Sequence, residues 1–255
     1  MSDFENLSIV VTGGARGIGA AVVEAFAEAG ARVAAFDLGM TRSVSDRRID
    51  LPVDVTDREG VFAAMAEVAE VFGGIDVLVN NAGIGRPNGL MGMTLKAWNQ
   101  TFAVNLGGTL NCIQAAVPLM AQSAHPSIVN VASIAGKRMS YHGGPDYSAS
   151  KAGMLGLTRH AAFELAAKRI RVNAICPGPV LTPLVEGMTT EEDRAVTASL
   201  MPLGRWVMPD DIAKAVLFFS GTGSLMCTGT SLDVDAGFLV GNGKPYAEYA
   251  RARGL

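Results

Sequence analysis

The sequence predicts an α/β fold in which one doubly wound parallel sheet is flanked by helices. Short apolar runs alternate with longer Ala-, Leu- and Met-rich stretches, and the short runs lack the polar alternation of half-exposed strands. Strands buried on both faces have such continuous apolar sequences, and strand–helix alternation is typical of a parallel sheet. The chain has 255 residues, 49% hydrophobic and 18% charged, with 30 glycines. We therefore expect residues 1–255 to form a single domain around one large core.

The alternation gives an order of elements. The predicted strands span residues 9–12, 32–36, 75–79, 127–131 and 171–175, with 231–234 a weaker candidate. The predicted helices span residues 18–29, 58–72, 95–120, 148–167 and 210–219. The crossover 38–49 is too short for a full helix, so we expect a loop or a single turn there. Residues 241–255 have no place in the sheet, and we expect them to form an irregular tail.

Composition excludes several classes of function. The net charge is −3, from 21 basic and 24 acidic residues, and the absence of a basic block makes nucleic acid an unexpected partner. The apolar runs are far shorter than the roughly 18–20 residues that span a bilayer, and we identify no signal peptide. Three widely spaced cysteines without a CxxC pair, and three histidines, favour neither disulfides nor a metal site. We expect a cytoplasmic protein without metal or membrane contact.

A glycine-rich turn follows the first predicted strand. Residues 12–19 have the sequence TGGARGIG, and a helix begins at once. Glycines at these places permit a tight turn, close approach of the backbone to a pyrophosphate, and close helix packing, and the helix N-terminus favours a diphosphate. This predicts a Rossmann-type dinucleotide site, the alternative being a purely structural turn. The predicted contacts are Gly13, Arg16, Gly17, Ile18 and Gly19.

The end of the second predicted strand bears on which dinucleotide binds. Asp37 lies there, and an acidic residue at this place accepts hydrogen bonds from the adenosine ribose and repels a 2′-phosphate. Arg16 and Arg42 are opposing evidence, since either could bind that phosphate. A carboxylate beside a phosphate costs Coulomb energy, so we expect NAD, with NADP the less favoured cofactor. The alternative for Asp37 is an ordinary polar strand end.

A tyrosine and a lysine are spaced to share one helix face. Tyr147 and Lys151 stand at i and i+4, so their side chains can act at the same place. A nearby ammonium favours the phenolate and lowers the pKa of a tyrosine from its usual value near 10, as proton abstraction from an alcohol requires. Ser133, after the strand 127–131, could hydrogen-bond the same substrate oxygen. Without further context, such a pair is more often a solvated helix face.

Five ordered motifs supply that context. They are the glycine turn 12–19, Asn-Asn-Ala-Gly at 80–83, Ser133, Tyr-x-x-x-Lys at 147–151, and Pro-Gly-Pro-Val-Leu-Thr at 177–182. In this order, over residues 7 to about 237, they resemble the classical short-chain dehydrogenase/reductase family. Two departures are a spacing between Ser133 and Tyr147 that is one residue longer than usual, and Asp-Ala-Gly at 235–237 in place of Asp-Gly-Gly. Both could reshape the substrate rim.

The resemblance implies roles for single positions. Tyr147 is expected to be the catalytic acid/base, with Lys151 lowering its pKa and holding the nicotinamide ribose. Tyr147 and Lys151 are both also expected to contact the cofactor. Ser133 is expected to orient the reacting carbonyl or alcohol, and Asn105 to support a water relay to Lys151, the alternative being a helix kink at Asn105. Further implied cofactor contacts are Asp54 and Val55 around adenine, Asn81 and Gly83 along the adenosine, and Val180 and Thr182 at the carboxamide. Asn80 is expected to be a turn former.

The substrate is expected to be a small alcohol or ketone bound by the loops 84–91, 134–146 and 181–201. These loops mix apolar side chains with Arg86, Arg138, Tyr141 and His142; one or two of the cations could bind a carboxylate, although solvated loop residues are the commoner case. The short second crossover and residues 100–108 also resemble dehydrogenases that oxidise cyclic dihydrodiols.

Three functions remain open at this point. The favoured one is an NAD-dependent oxidoreductase that transfers hydride between the cofactor and a secondary alcohol or ketone, such as a cyclic diol or hydroxy compound. The rival enzyme is an NADPH-dependent 3-oxoacyl reductase, suggested by Arg16 and by the segment 202–205. The rival from another class is a dinucleotide-sensing protein without turnover. The resemblance also implies a homotetramer or homodimer with the helices 95–120 and 148–167 at the interface.

Overall fold

The computed structural model describes residues 3–124, 126–140, 142–241 and 243–254, and its centre is an eight-stranded sheet. The strands are β1 Ser8–Thr12, β2 Arg32–Phe36, β3 Ser43–Val44, β4 Arg48–Leu51, β5 Val77–Asn80, β6 Ser127–Val131, β7 Arg171–Pro177 and β8 Ser231–Val234. Their order is β3-β4-β2-β1-β5-β6-β7-β8, and every pair is parallel except β3 with β4. The predicted doubly wound parallel sheet is confirmed.

Helices cover both faces of this sheet. They are α1 Gly17–Glu28, α2 Arg58–Phe72, α3 Leu95–Phe102, α4 Thr109–Ala116, α5 Pro145–Leu165, α6 Pro183–Met188, α7 Glu191–Ser199, α8 Pro209–Ser220 and α9 Tyr246–Arg253. One core lies between the sheet and α1 and α8, and another between the sheet and α2, α4 and α5. In β1, Ile9 and Val11 enter the first core and Val10 the second. A strand buried on both faces needs apolar residues throughout, which explains its sequence. Among the described residues, no helix is long and apolar enough to span a membrane.

The predicted helix 95–120 is interrupted. Between α3 and α4 the segment Ala103–Gly108 is π-helical, and Val117–Met120 closes the run as a 3₁₀ turn. Asn105 lies in this wide turn, and a Cβ on Gly108 would come within 2.5 Å of Cγ2 of Val55. Asn and Gly favour a regular helix weakly, and π-helical turns are frequent at functional sites.

Two irregular segments contain more structure than expected. In the crossover 38–49, β3 pairs antiparallel with β4, and the Ser45 amide donates to the Arg48 carbonyl at 2.8 Å. The prediction of a loop or single turn was wrong because two exposed strand residues leave no apolar signal. The tail 241–255, expected to be irregular, contains α9, whose Tyr246 and Tyr249 rings lie 6.2 Å apart. Such contacts three residues apart stabilise a helix locally.

The sheet order places a crevice at the carboxyl ends of the central strands. The chain leaves β1 toward β2 on one side and later returns to β5 on the other side. Ligands of doubly wound sheets bind where the strand order reverses in this way. The residues just beyond these strand ends are Gly13, Asp37, Asn81, Ser133 and Val180, so the fold gathers the candidate residues on one edge.

Candidate active site

The glycine turn has the shape that a diphosphate needs. Gly13 and Gly17 have φ of 67° and 58°, in the left-handed region that glycine adopts most readily. A Cβ on Gly19 would lie 1.9 Å from the carbonyl oxygen of Gly13, so only glycine lets α1 pack against the turn. Arg16 precedes α1 without a side-chain capping bond, and the first turn of α1 carries no acidic residue. The amides at this helix start therefore fit an anionic group.

Asn81 and Thr12 hold this turn in place. The Asn81 side-chain amide donates to the carbonyls of Thr12 and Gly13, both at 3.0 Å. The Thr12 hydroxyl accepts from the amides of Asn81 and Ala82, both at 3.1 Å. The Asn81 side chain thus braces the protein's own turn. The sequence analysis assigned Asn81 to the adenosine and did not anticipate this brace, which joins residues on two different strand ends.

Asp37 lies against the glycine turn. Its carboxylate accepts hydrogen bonds from the amides of Ala15 at 3.3 Å and Gly39 at 3.0 Å, and its side chain is partly exposed. Of the two opposing cations, Arg42 forms an ion pair with Glu67 of α2 at 2.7 Å. Arg16 is exposed. The carboxylate is therefore beside the turn, while one of the two arginines is engaged elsewhere.

Asp54 and Val55 lie on the loop after β4. One oxygen of the Asp54 carboxylate accepts from both the amide and the hydroxyl of Thr56 at 2.8 Å. Val55 is buried, and the Asn111 side chain of α4 donates to its carbonyl at 3.0 Å. Asn111, which the sequence analysis did not single out, thus ties this loop to the helix layer.

The segment after β7 reaches the glycine turn from the other side of the crevice. The Thr182 methyl lies 3.4 Å from where a Cβ on Gly17 would be, and the Thr182 hydroxyl caps α6 by accepting from the Val185 amide at 3.3 Å. Val180 is buried and forms an isolated bridge with Val207. The loop expected to hold the carboxamide therefore faces the turn expected to hold the pyrophosphate.

Two glycine loops form a slot for the Tyr147 ring. A Cβ on Gly85 would lie 2.9 Å from Cδ2 of Tyr147, and one on Gly143 would lie 2.6 Å from Cδ1. Neither glycine was identified from the sequence, because the contact depends on where two separate loops fold. The slot fixes the plane of the ring. The two loops can approach the ring this closely only because both positions lack a side chain.

Ser133 lies beside the phenol. Its hydroxyl accepts from the Ala135 amide at 3.0 Å, capping the 3₁₀ turn Ile134–Gly136, and it hydrogen-bonds the Tyr147 side chain. The pKa of Tyr147 is raised above its usual value, because loss of hydration outweighs this hydrogen bond, which favours the phenolate. The structure thus brings the predicted serine and tyrosine together.

Lys151 is buried beneath the tyrosine. Its ammonium lies 5.8 Å from the centre of the Tyr147 ring and donates to the Val131 carbonyl at 2.8 Å. The side chain is 3% exposed, and burial lowers its pKa to about 8. The expectation that Lys151 lowers the pKa of Tyr147 was wrong for this structure. The ammonium is directed to a carbonyl, and burial of the phenol is the larger effect.

Asn105 links this group to the loop after β5. Its side chain pairs with the backbone of Ile84, accepting from the amide at 2.8 Å and donating to the carbonyl at 2.9 Å, and it also donates to Ser150 at 3.0 Å. A Cβ on Gly83 would lie 3.3 Å from the Asn105 oxygen and 3.5 Å from the Lys151 nitrogen. Gly83, Asn105 and Lys151 therefore form one contiguous cluster.

The position of Asn80 differs from the prediction that it forms a turn. It ends β5 rather than forming a turn, and its side-chain amide donates to the buried side chain of Asn130 on β6 at 2.9 Å. Asn130 in turn donates to Thr158 of α5 at 2.9 Å. This buried chain of polar contacts ties two central strands to the helix that carries Tyr147.

The rim of the crevice carries the cations noted in the sequence. The Arg138 guanidinium lies 5.1 Å from the centre of the Phe238 ring. Arg86 is partly buried on the loop whose Gly85 contacts Tyr147. His142 is exposed. Tyr141 lies outside the described residues.

Comparison with known proteins places this arrangement in a family. Residues 13–239 match a family model described as enoyl-(acyl carrier protein) reductase. The chain belongs to the short-chain dehydrogenase/reductase family. This short-chain dehydrogenase/reductase is 38% identical over 243 residues to the 3-oxoacyl-(acyl-carrier-protein) reductase FabG of Thermotoga maritima, covering 91% of this chain and 97% of the relative. It is 39% identical over 238 residues to the cis-4-hydroxycyclohexanecarboxylate dehydrogenase of Sinomonas cyclohexanicum, covering 90% and 95%.

Solved structures of similar proteins have the same fold. The ligand-free aldohexose dehydrogenase of Thermoplasma acidophilum has a TM-score of 0.88 and 30% identity, over 94% of this chain and 96% of that one. The 3-oxoacyl-(acyl-carrier protein) reductase of Brucella melitensis has a TM-score of 0.84 and 33% identity, over 92% of both chains. The short-chain dehydrogenase/reductase described here is an oxidoreductase of small molecules that uses NAD or NADP. The predictions of family and fold are confirmed.

Proposed function

We propose that the protein is an NAD(H)-dependent dehydrogenase that interconverts a secondary alcohol and its ketone. The alcohol is a cyclic hydroxy compound. The observation that carries this proposal is the contiguous group of Ser133, Tyr147, Lys151 and Asn105 at the carboxyl edge of the sheet. A hydroxyl, a phenol and an ammonium around one crevice suit proton transfer to or from a substrate oxygen. The relative that acts on cis-4-hydroxycyclohexanecarboxylate supports the choice of a cyclic substrate.

The proposed mechanism assigns one task to each side chain. The bound nicotinamide cofactor would supply or accept the hydride. Tyr147 exchanges a proton with the substrate oxygen; its raised pKa keeps it protonated, which suits proton donation to a ketone. In the oxidative direction Ser133 stabilises the phenolate by its hydrogen bond and orients the substrate oxygen. Lys151 would hold the ribose and, through a water relay supported by Asn105, pass the proton toward solvent.

We propose that the other predicted residues hold the cofactor. The turn residues Gly13, Arg16, Gly17, Ile18 and Gly19 would take the pyrophosphate, and Asp37 the adenosine ribose. NAD is favoured because the Asp37 carboxylate lies against the turn and Arg42 is paired with Glu67. The contacts proposed around the adenine, adenosine and carboxamide are Asp54, Val55, Asn81, Gly83, Val180 and Thr182.

Replacing Asp37 with Ser should shift the cofactor preference toward NADP. The change removes hydrogen bonds to the ribose and the repulsion of a 2′-phosphate, so the ratio of kcat/KM with NAD⁺ to kcat/KM with NADP⁺ should fall by about 100-fold. Steady-state kinetics with both cofactors measure this ratio. Asp46→Ser, which removes an exposed carboxylate near the sheet edge, is the charge-matched control. An unchanged ratio in Asp37→Ser would show that Asp37 does not select the cofactor.

An NADPH-dependent 3-oxoacyl reductase is the second candidate. The 38% identity to a reductase of that activity supports it, as does the exposed Arg16 in the glycine turn. Arg205, which the sequence analysis associated with this alternative, forms an ion pair with Asp211 at 2.6 Å. A dinucleotide sensor without turnover is a weaker candidate, because a sensor has no use for a buried lysine beside a tyrosine.

A cofactor and substrate screen tests the proposed function. Cyclic and acyclic secondary alcohols are supplied with NAD⁺ or NADP⁺, and a 3-oxoacyl thioester with NADH or NADPH, while absorbance reports the reduced cofactor. We expect turnover of cyclic alcohols with NAD⁺. Turnover confined to the thioester with NADPH would establish the reductase instead. Tight NADH binding without turnover of any substrate would favour the sensor.

We further propose a homotetramer or homodimer built on α4 and α5. Phe163 of α5 is 88% exposed and Leu110 of α4 is also exposed, so an apolar surface is available for helix packing. We propose a cytoplasmic location, since Cys112, Cys176 and Cys227 are all free and reduced cysteines are typical of that compartment.

A further inference from the structure

We propose that Arg138 forms a carboxylate-binding subsite and that the substrate is a cyclic hydroxy acid rather than a neutral alcohol. This inference rests on the proposed function, because it names a feature of the substrate that the same site would accept. It assigns to Arg138 the task of selecting the substrate, separate from the proton transfer assigned to Tyr147.

Arg138 belongs to the loop between Ser133 and Tyr147, and its amide donates to the Ile134 carbonyl at 3.0 Å. A Cβ on Gly136 would lie 2.8 Å from the Lys151 backbone, and one on Gly143 would lie 2.6 Å from the Tyr147 ring. The loop that carries Arg138 is thus packed against the backbone of Lys151 and the ring of Tyr147 on either side of this exposed arginine.

The exposed Arg138 guanidinium stacks on an aromatic ring without being neutralised. It lies over the Phe238 ring at 5.1 Å, and Phe238 packs against the buried cluster that contains Ile134 and Cys176. Among the described residues, the Arg138 side chain takes part in no ion pair or hydrogen bond. Stacking on an aromatic face leaves the N–H edges of a guanidinium free, and those edges match a carboxylate in bidentate fashion.

Three carboxylates of the same region have other partners. Asp233 forms an ion pair with Lys137 at 2.5 Å. Asp235 accepts from the amides of Gly237 at 2.9 Å and Leu239 at 2.8 Å. Asp146 accepts from the Thr101 hydroxyl at 2.6 Å. Among the described residues, none of these three carboxylates pairs with Arg138, which leaves its charge available to a ligand.

The test compares a carboxylated ring alcohol with a neutral one. Kinetics are measured with 4-hydroxycyclohexanecarboxylate, its methyl ester and cyclohexanol, for wild type, Arg138→Met and Arg138→Lys. In Arg138→Met, the ratio of kcat/KM for the acid to kcat/KM for the ester should fall by about tenfold or more. Arg138→Lys keeps the charge but loses the planar fork, so its ratio should lie between the two. Lys168→Met removes an exposed cation at the opposite end of α5 and serves as control.

A binding measurement separates this proposal from the proposed function. Cyclohexanecarboxylate has no hydroxyl to oxidise, and its affinity for the wild type in the presence of NADH is measured by saturation-transfer NMR. Binding that weakens about tenfold in Arg138→Met supports the subsite even if no alcohol turns over, in which case only the proposed reaction fails. Equal preference for acid and ester in wild type and Arg138→Met, or equal binding of the carboxylate, would overturn the proposal while leaving dehydrogenase activity intact.

Discussion

Replacing Tyr147 with Phe is expected to lower kcat by about 10³-fold, within the range that general acid–base catalysis contributes. The phenol is held in position to give a proton to a ketone, because its ring lies between Gly85 and Gly143 and its hydroxyl bonds Ser133. Phe keeps the ring and fills the same slot. Steady-state kinetics with the preferred substrate measure the loss.

Cofactor binding distinguishes a catalytic effect from a structural one. The affinity of the Tyr147→Phe variant for NADH, measured by fluorescence titration, should stay within about twofold of wild type, since the turn and the Asp37 carboxylate are untouched. Tyr249→Phe deletes the same hydroxyl from an exposed position on α9 and should keep full activity. If the Tyr147→Phe variant retained near wild-type kcat, another group would have to carry the proton.

The parts of the fold that sequence could predict are those in which burial acts on consecutive residues. The strands Arg32–Phe36 and Ser127–Val131, which are almost wholly buried, and the helix Arg58–Phe72 have the predicted bounds. The edge strand Ser231–Val234 also has them, although its residues are partly buried or exposed. A strand covered on both faces and a helix capped by Asp57 carry their signals locally. The edge pairing of β3 does not, because its two residues are exposed and satisfy only backbone bonds.

In the active site, too, features with a local sequence signal were predicted and features that depend on the surrounding fold were not. The sequence placed Ser133, Tyr147 and Lys151 together because spacing on a helix and position after a strand determine proximity. It did not yield the direction of the Tyr147 pKa, since that depends on desolvation by the surrounding fold. The π-helical turn around Asn105 was also hidden, because the Asn105 side chain bonds Ile84, a residue distant in sequence.

Lys151 gives the second large effect, on activity and on the pH dependence of stability. Lys151→Met should lower kcat/KM by about 10²-fold or more, because it removes the ammonium that would hold the ribose and pass the proton toward solvent. The same lysine destabilises the folded state near neutral pH. Its pKa falls from 10.5 to about 8 on burial, so at neutral pH the folded chain keeps a charge that water would solvate better.

The sign of the pH effect follows from that lowered pKa. Between about pH 8 and pH 10.5 the unfolded chain binds more protons at this lysine than the folded chain does, so the free energy of unfolding rises with pH. From about pH 7.5 to about pH 9.5, the wild type should gain about 2 kcal/mol relative to Lys151→Met. Taking this difference cancels the titration of groups that both proteins share. Urea unfolding at the two pH values measures it.

Lys168→Met provides the matched control, because it removes an exposed lysine from the 3₁₀ turn that follows the same helix. The wild type should gain no comparable stability relative to that variant. If the free energy of unfolding of Lys151→Met and that of the wild type changed equally with pH, groups other than the Val131 carbonyl would have to solvate the buried ammonium. A group that costs stability near neutral pH and is indispensable for turnover is what a stability–activity trade-off predicts for a functional lysine. Loss of activity together with the altered pH dependence would show that one buried lysine both serves turnover and lowers stability near neutral pH.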